Sequence, residues 1–303
     1  MRPRVYITQP VAPSAIERLR QRAEVTFNPD PLHIVSKDEL LAAVRTHDIL
    51  YCMLHDKVDG EVIAANPGLR AVASMKITPS DIDVPAATAR RIPVTVITAM
   101  VTEATADVQF ALLLAVARRV VESDRLLRAG TFPGAQSCYL EGAWVAGKVL
   151  GLIGGGGRIG KAVAKRAHGF GMRVLYWGPR RKSADEEKAA GLEYAALDQL
   201  LAESDFVSIH TPFTPETRHQ IGARELNLMK PTAFLINTAR GAIVDEQALV
   251  HALTEKRIAG AGLDVYENEP NVTPALKAMP KVVLTPHIGS AVRELREEMA
   301  QVG

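Results

Sequence analysis

The chain reads as an α/β protein with two doubly wound parallel sheets. Three observations predict this. Short apolar runs alternate with helical patterns along most of its 303 residues. Two such series stand on either side of one long apolar helical stretch. The second series opens with VLGLIGGGGRIG (149–160), a buried-type strand that runs into a glycine cluster at the start of a helix. Strands that alternate with helices imply parallel sheets covered on both faces, here twice over.

The N-terminal MRPRVYITQPVAP has too short an apolar run for a secretory signal and reads as a first strand, near 4–8, followed by a loop. Further strands are expected near 49–54, 71–74 and 94–97, with helical patterns beginning at Ser14, Lys37 and Pro85. A long helix then runs from about Val101 to Arg128 and ends at Gly130. Its apolar centre (108–121) is interrupted by Arg118 and Arg119 and falls short of the roughly 20 residues that span a bilayer, so it is a core helix. The second series places strands at 149–153, 173–177, 206–210, 233–237, 259–264 and 282–285. A final helix begins at Ala291 and stops without a cap at Gly303, as a chain shorter than its natural product would. No solenoid repeat or low-complexity segment interrupts the alternation.

Composition agrees with a globular protein: 47% apolar and 23% charged residues, with a net charge of +2. So small a charge gives no case for a nucleic-acid or membrane-surface partner. Cys52 and Cys138 fit neither a disulfide framework nor a zinc spacing, so both read as packing residues in a reducing cytoplasm, and no metal is expected.

The glycine cluster carries the first chemistry. Gly155, Gly157 and Gly160 satisfy the spacing of a turn that brings backbone N–H groups and a helix N-terminus to a pyrophosphate, with Arg158 and Ile159 opening the helix. Gly154 is one glycine more than that spacing needs, and is either an extra turn residue or the true first glycine. The next strand, RVLYW, ends at Gly178 and is followed by Pro179, Arg180, Arg181 and Lys182, where an NAD site places an acid. Three cations in that place favour the 2′-phosphate of NADP(H), with NAD(H) as the alternative cofactor.

Beyond these residues the chain resembles the D-isomer-specific 2-hydroxyacid dehydrogenases, and more closely their glyoxylate/hydroxypyruvate reductase branch. The stretches that carry the resemblance are VTEATADVQFALLLA (101–115), the glycine turn, HTPFTPETRHQI (210–221), MKPTAFLINTARGAIVDEQALVHAL (229–253), AGAGLDVYENEP (259–270) and LTPHIGSA (284–291). The resemblance implies a Rossmann cofactor domain, residues 100–285, inserted in a flavodoxin-like substrate domain made of 1–99 and 286–303. It implies hinges near 98–101 and 285–290, substrate in the cleft, and a homodimer paired through the cofactor domain and the long helix. The implied activity is reduction of a small 2-oxo acid to the D-2-hydroxy acid by hydride from NAD(P)H.

Matched to the family's motifs, the catalytic residues are Arg240 in NTARG, Glu269 in ENEP and His287 in TPHIG. Hydride delivery to a carbonyl carbon builds negative charge on oxygen and requires a proton, and imidazole titrates near neutral pH. His287 is the implied acid/base, Glu269 fixes its tautomer, and Arg240 holds the substrate carboxylate and carbonyl. Thr102 and Asp264 are implied beside the nicotinamide, and Thr211 and Pro212 on the adenosine side. Gly178, His210, Thr238, Ala239 and Gly289 complete the expected cofactor contacts, together with Arg240 and His287.

The chain departs from the family in the substrate loop, expected to involve Leu54, Lys76, Ile77 and Thr78, with His55 nearby. Where the family carries Gly-x-Gly, this loop reads Lys76-Ile77-Thr78-Pro79-Ser80-Asp81. Lys76 either compensates as a point charge for a small anionic substrate or points to solvent. A lysine in phosphite dehydrogenases of the family does something similar, and HIGSAVRELR (287–296) also resembles those enzymes. Phosphite or a bulkier 2-oxo acid therefore stays open as substrate, as does a nucleotide-sensing protein without turnover.

Overall fold

The computed structural model of the protein describes residues 2–97 and 99–302. Thr98, in the first expected hinge, and Gly303, the expected stop of the last helix, lie outside the described residues. The chain divides into two units, Met1–Met100 with Ala291–Gly303, and Val101–Ser290.

The first unit holds four parallel strands, β1 Arg4–Ile7, β2 Glu24–Phe27, β3 Ile49–Cys52 and β4 Ala71–Ser74, in the order β2-β1-β3-β4. This is the flavodoxin-like order as far as it extends. Leu50, Val62, Ile63 and Val72 are buried beneath the helix Lys37–Thr46, which starts with a capping box between Ser36 and Glu39. Two expectations fail here. The edge strand β2 was not foreseen, because EVTF buries neither face fully and lacks the apolar run of a core strand. The segment 94–97 is not a strand: Val94 makes a single bridge to Val72, and Pro93 beside it has no N–H to extend a ladder.

The second unit holds seven parallel strands: β5 Val149–Ile153, β6 Arg173–Trp177, β7 Glu193–Tyr194, β8 Phe206–Ile209, β9 Phe234–Asn237, β10 Gly260–Leu263 and β11 Val282–Leu284. Their order is β11-β10-β9-β8-β5-β6-β7, the Rossmann order with one added strand. The wholly buried strands β8, β9 and β10 are, apart from Asn237 at the end of β9, continuous apolar or small-residue runs, as a sheet covered on both faces requires. Strand order reverses between β5 and β8, which opens a crevice at their carboxyl ends.

The long helix is in fact two, Thr102–Ala117 and Val120–Arg128. Arg119 adopts φ 53°, and the Ala117 carbonyl that would continue the helix accepts instead from Ala143 N at 2.7 Å. Helix Arg158–Gly169 lies so close to the glycine turn that a Cβ on Gly160 would stand 2.5 Å from Gly155 Cα. Gly160→Ala is therefore expected to destabilise the protein by about 1–3 kcal/mol and to weaken cofactor binding, as read by urea unfolding and cofactor fluorescence.

Candidate active site

The glycine turn resolves the ambiguity of the fourth glycine. Gly154 turns the chain with φ 84°, and a Cβ there would lie 2.7 Å from the His210 carbonyl carbon. Only glycine lets the turns after β5 and β8 approach this closely, so Gly154 makes the turn while Gly155 packs on Gly160. Gly157 then caps helix Arg158–Gly169 without a side-chain acceptor, which suits an N-terminus that receives phosphate oxygens.

At the end of β6 the basic residues are more constrained than their sequence suggests. Arg181 donates from Nε and Nη2 to Glu187 at 2.9 and 3.0 Å, and its guanidinium lies 5.3 Å from the Tyr194 ring centroid. Tyr176 Oη also donates to Glu187, at 2.8 Å, and accepts from Lys182 N at 2.7 Å. Bonds from Arg181 and Tyr176 hold the Glu187 carboxyl below its usual range. No acid follows the strand in sequence, yet helix Ala184–Ala190 returns one to it. Arg180 is exposed, and the Lys182 stem lies across Gly156. The sequence pointed to the cations and missed Glu187, whose only signal was its place one turn into a capped helix.

The remaining cofactor candidates line the same carboxyl edge. Burial pushes the His210 imidazole down to about 3, so it is neutral near pH 7 and serves as an acceptor or donor to Ser208 Oγ rather than as an acid. Thr211 is buried, with Oγ1 bonded to Gln220 at 3.4 Å. Thr238 is buried with no partner for Oγ1 among the described residues, an orphaned hydroxyl beside Ala239 that a bound dinucleotide would satisfy. An uncapped helix N-terminus, a glycine turn and this orphan fit a dinucleotide.

Beyond β9, the buried Asn237 side chain fixes the NTARG loop, accepting from Ala239 N and donating to the Arg240 carbonyl, both at 3.0 Å. Arg240 Nη1 donates to the Ala239 carbonyl at 2.7 Å. His287 Nδ1 lies 2.8 Å from Glu269 Oε2, and Glu269 Oε1 accepts from Tyr266 N at 3.0 Å. An ionised carboxylate only accepts, so Nδ1 carries the hydrogen of that contact. His287 sits at φ 55°, a left-handed conformation that costs a non-glycine residue about 1–2 kcal/mol.

Asp264 holds that conformation in place. Its carboxylate, 1% exposed, accepts from Thr285 Oγ1 at 2.6 Å, Ile288 N at 2.8 Å and Gly289 N at 2.8 Å. The residue expected to meet the nicotinamide is thus first an anchor for the loop that carries His287, a role its sequence context does not signal.

In the first unit, Leu54 and Ile77 are half-buried and Thr78 is exposed. Lys76 does not point to solvent: it is 3% exposed, and Nζ donates at 2.9 Å to both the Asp56 carbonyl and Asp81 Oδ2. Among the described residues no cluster of His, Cys, Asp and Glu is arranged to hold a metal ion, and no helix is long and apolar enough to cross a membrane.

A dinucleotide cradle at the switch point, with a carboxylate-held imidazole and an arginine on adjoining strand ends, divides the labour as nicotinamide-dependent oxidoreductases do. Residues 110–289 match the family described as D-isomer specific 2-hydroxyacid dehydrogenase, NAD binding domain. The glyoxylate reductase of Thermococcus litoralis is 46% identical over 100% of this chain and 92% of its own length. The TT0316 protein of Thermus thermophilus superposes with a TM-score of 0.92 at 43% identity, covering 98% of this chain and 93% of its own. An NADPH-dependent glyoxylate/hydroxypyruvate reductase from Sinorhizobium meliloti, solved with NADP and malonate, gives 0.81 at 32% identity, covering 99% and 91%. The chain belongs to the D-isomer-specific 2-hydroxyacid dehydrogenase family and is an NAD(P)-dependent oxidoreductase.

Asp264→Ala removes the acceptor of two backbone N–H groups and is expected to cost about 2–4 kcal/mol. Urea unfolding checks this, and an unchanged midpoint contradicts the anchoring role.

Proposed function

We propose that the protein reduces glyoxylate to glycolate or hydroxypyruvate to D-glycerate, with NADPH preferred to NADH and His287 as the acid/base. The observation that carries this reading is the 2.8 Å contact between His287 Nδ1 and Glu269 Oε2. NAD(P)H, when bound, supplies the hydride to the carbonyl carbon. Arg240 pairs its planar donors with the substrate carboxylate and carbonyl, which orients the substrate and polarises the C=O bond. Glu269 keeps the hydrogen on Nδ1 and stabilises the charged ring, so the proton given to the developing alkoxide leaves from Nε2. In the reverse direction the same nitrogen removes it.

The substrate class follows the relatives that carry the name glyoxylate reductase, and the cofactor preference follows Arg180, Arg181 and Lys182 together with the NADP-bound relative. Gly155, Gly157, Arg158, Ile159 and Gly160 take the pyrophosphate, Thr211 and Pro212 the adenosine side, and Thr102, Thr238, Asp264 and Gly289 the nicotinamide side. Leu54, Lys76, Ile77 and Thr78 form the substrate loop of the first unit. The cofactor domain is taken as 100–285 and the substrate domain as 1–99 with 286–303. We further propose a cytoplasmic homodimer, paired through the cofactor domain and the long helical stretch, where Leu127 is 60% exposed.

Initial rates of NADPH and NADH oxidation against glyoxylate, hydroxypyruvate, pyruvate and phenylpyruvate test the reading. Fast turnover of the first two with NADPH is expected, and cofactor binding without turnover contradicts it. His287→Ala is expected to lower kcat by roughly 10²–10⁴-fold with the fold intact. Arg180→Ala combined with Arg181→Ala is expected to move preference towards NADH, and an unchanged NADPH/NADH ratio contradicts the 2′-phosphate assignment.

A further inference from the structure

The first unit contains a buried cation that the reduction does not call for. Lys76 follows β4, and its ammonium is enclosed between the Asp56 carbonyl and Asp81 Oδ2, each at 2.9 Å. Asp56 is itself 3% exposed, and its Oδ2 accepts from Thr8 Oγ1 at 2.5 Å and Met53 N at 2.6 Å. Burial raises the Asp56 carboxyl pKa, against the pull of those two bonds. The lysine thus joins the chain after β3 to the chain after β4, and the Asp56 carboxylate joins the former to Thr8 after β1. The backbone around it is closed as well: Lys76 N donates to Ser74 Oγ at 3.1 Å, Ile97 N to the Lys76 carbonyl at 2.9 Å, and Val58 N to the Asp81 carbonyl at 2.8 Å.

The Lys76–Asp81 contact is a chord across the loop that contains Ile77, Thr78 and Pro79. A loop without glycines at this place has less freedom to aim its N–H groups, and a buried ammonium keeps its partners because losing one leaves an uncompensated charge. We propose that Lys76 is a positioning residue: it acts on substrate binding by holding the loop 76–81, and with it the N–H groups of Ile77 and Thr78, rather than by offering its own charge to the substrate carboxylate. This rests on the reading of residues 76–78 as the substrate loop.

Opposite signs separate the two roles in Asp81→Asn. A direct ligand would be released by that change and would lower KM for glyoxylate, whereas loss of a chord raises it. Expected are a roughly tenfold rise in glyoxylate KM for both Lys76→Met and Asp81→Asn. In both variants kcat and the KM for NADPH stay near wild type. The double variant is expected to be no worse than the worse single one, because both act on the same Lys76–Asp81 contact. A lower KM in Asp81→Asn, or an unchanged KM in Lys76→Met, overturns the proposal. Hydrogen exchange keeps the test independent of the substrate assignment. If the wild-type protein turns over no 2-oxo acid, the functional reading falls, but faster exchange at Ile77–Ile82 in Lys76→Met still supports the chord. Unchanged exchange there overturns it.

Discussion

The carboxylate of Asp264 stands at the end of β10 and accepts from Thr285 Oγ1, Ile288 N and Gly289 N, so that the chain leaving β11 is sewn to the neighbouring strand. Much of the site geometry depends on this interaction. It holds His287 in a left-handed backbone conformation that an unsupported loop would leave. Glu269 comes from the segment that follows Asp264, and its second oxygen is fixed by Tyr266 N. The imidazole and its carboxylate partner are thus referenced to the same strand. Preorganisation of this kind matters because a proton donor that must be reoriented during reaction forfeits much of its advantage.

The cofactor side shows the same economy. The tight approach at Gly154 brings the turns after β5 and β8 together, and the close packing of Gly160 on Gly155 draws the helix N-terminus up to that turn, in the arrangement that suits phosphate oxygens. At the end of β6, Glu187 organises rather than replaces the basic cluster. It holds Arg181 in a fixed fork and accepts from the Tyr176 hydroxyl, which in turn receives Lys182 N. An acid at this strand end normally receives ribose hydroxyls directly, but here both of its oxygens are engaged by Arg181.

Much of this was legible in the sequence, and the exceptions have physical causes. Strands of the second sheet stand out because burial on both faces leaves continuous apolar runs, and NTARG, ENEP and TPHIG then fall at their carboxyl ends. The edge strands β2 and β7 were hidden because a half-exposed or two-residue strand carries little apolar signal. The break at Arg119 was hidden because it depends on the distant Ala143 amide. Contacts that depend on tertiary approach were also invisible: Asp264 to the loop after β11, Glu187 to Arg181, and Lys76 to Asp56 and Asp81. Sequence motifs point to the candidate groups, whereas the residues that hold those groups in place are found only through geometry.

The proposed mechanism has a carboxylate-held imidazole supply the proton as hydride reaches the carbonyl carbon. Its most direct test is the single-turnover rate of NADPH oxidation by glyoxylate in Glu269→Gln against wild type, with NADPH affinity measured in parallel. The expected rate is lower by roughly 10²-fold or more at unchanged NADPH affinity. Equal rates in the two proteins would contradict it.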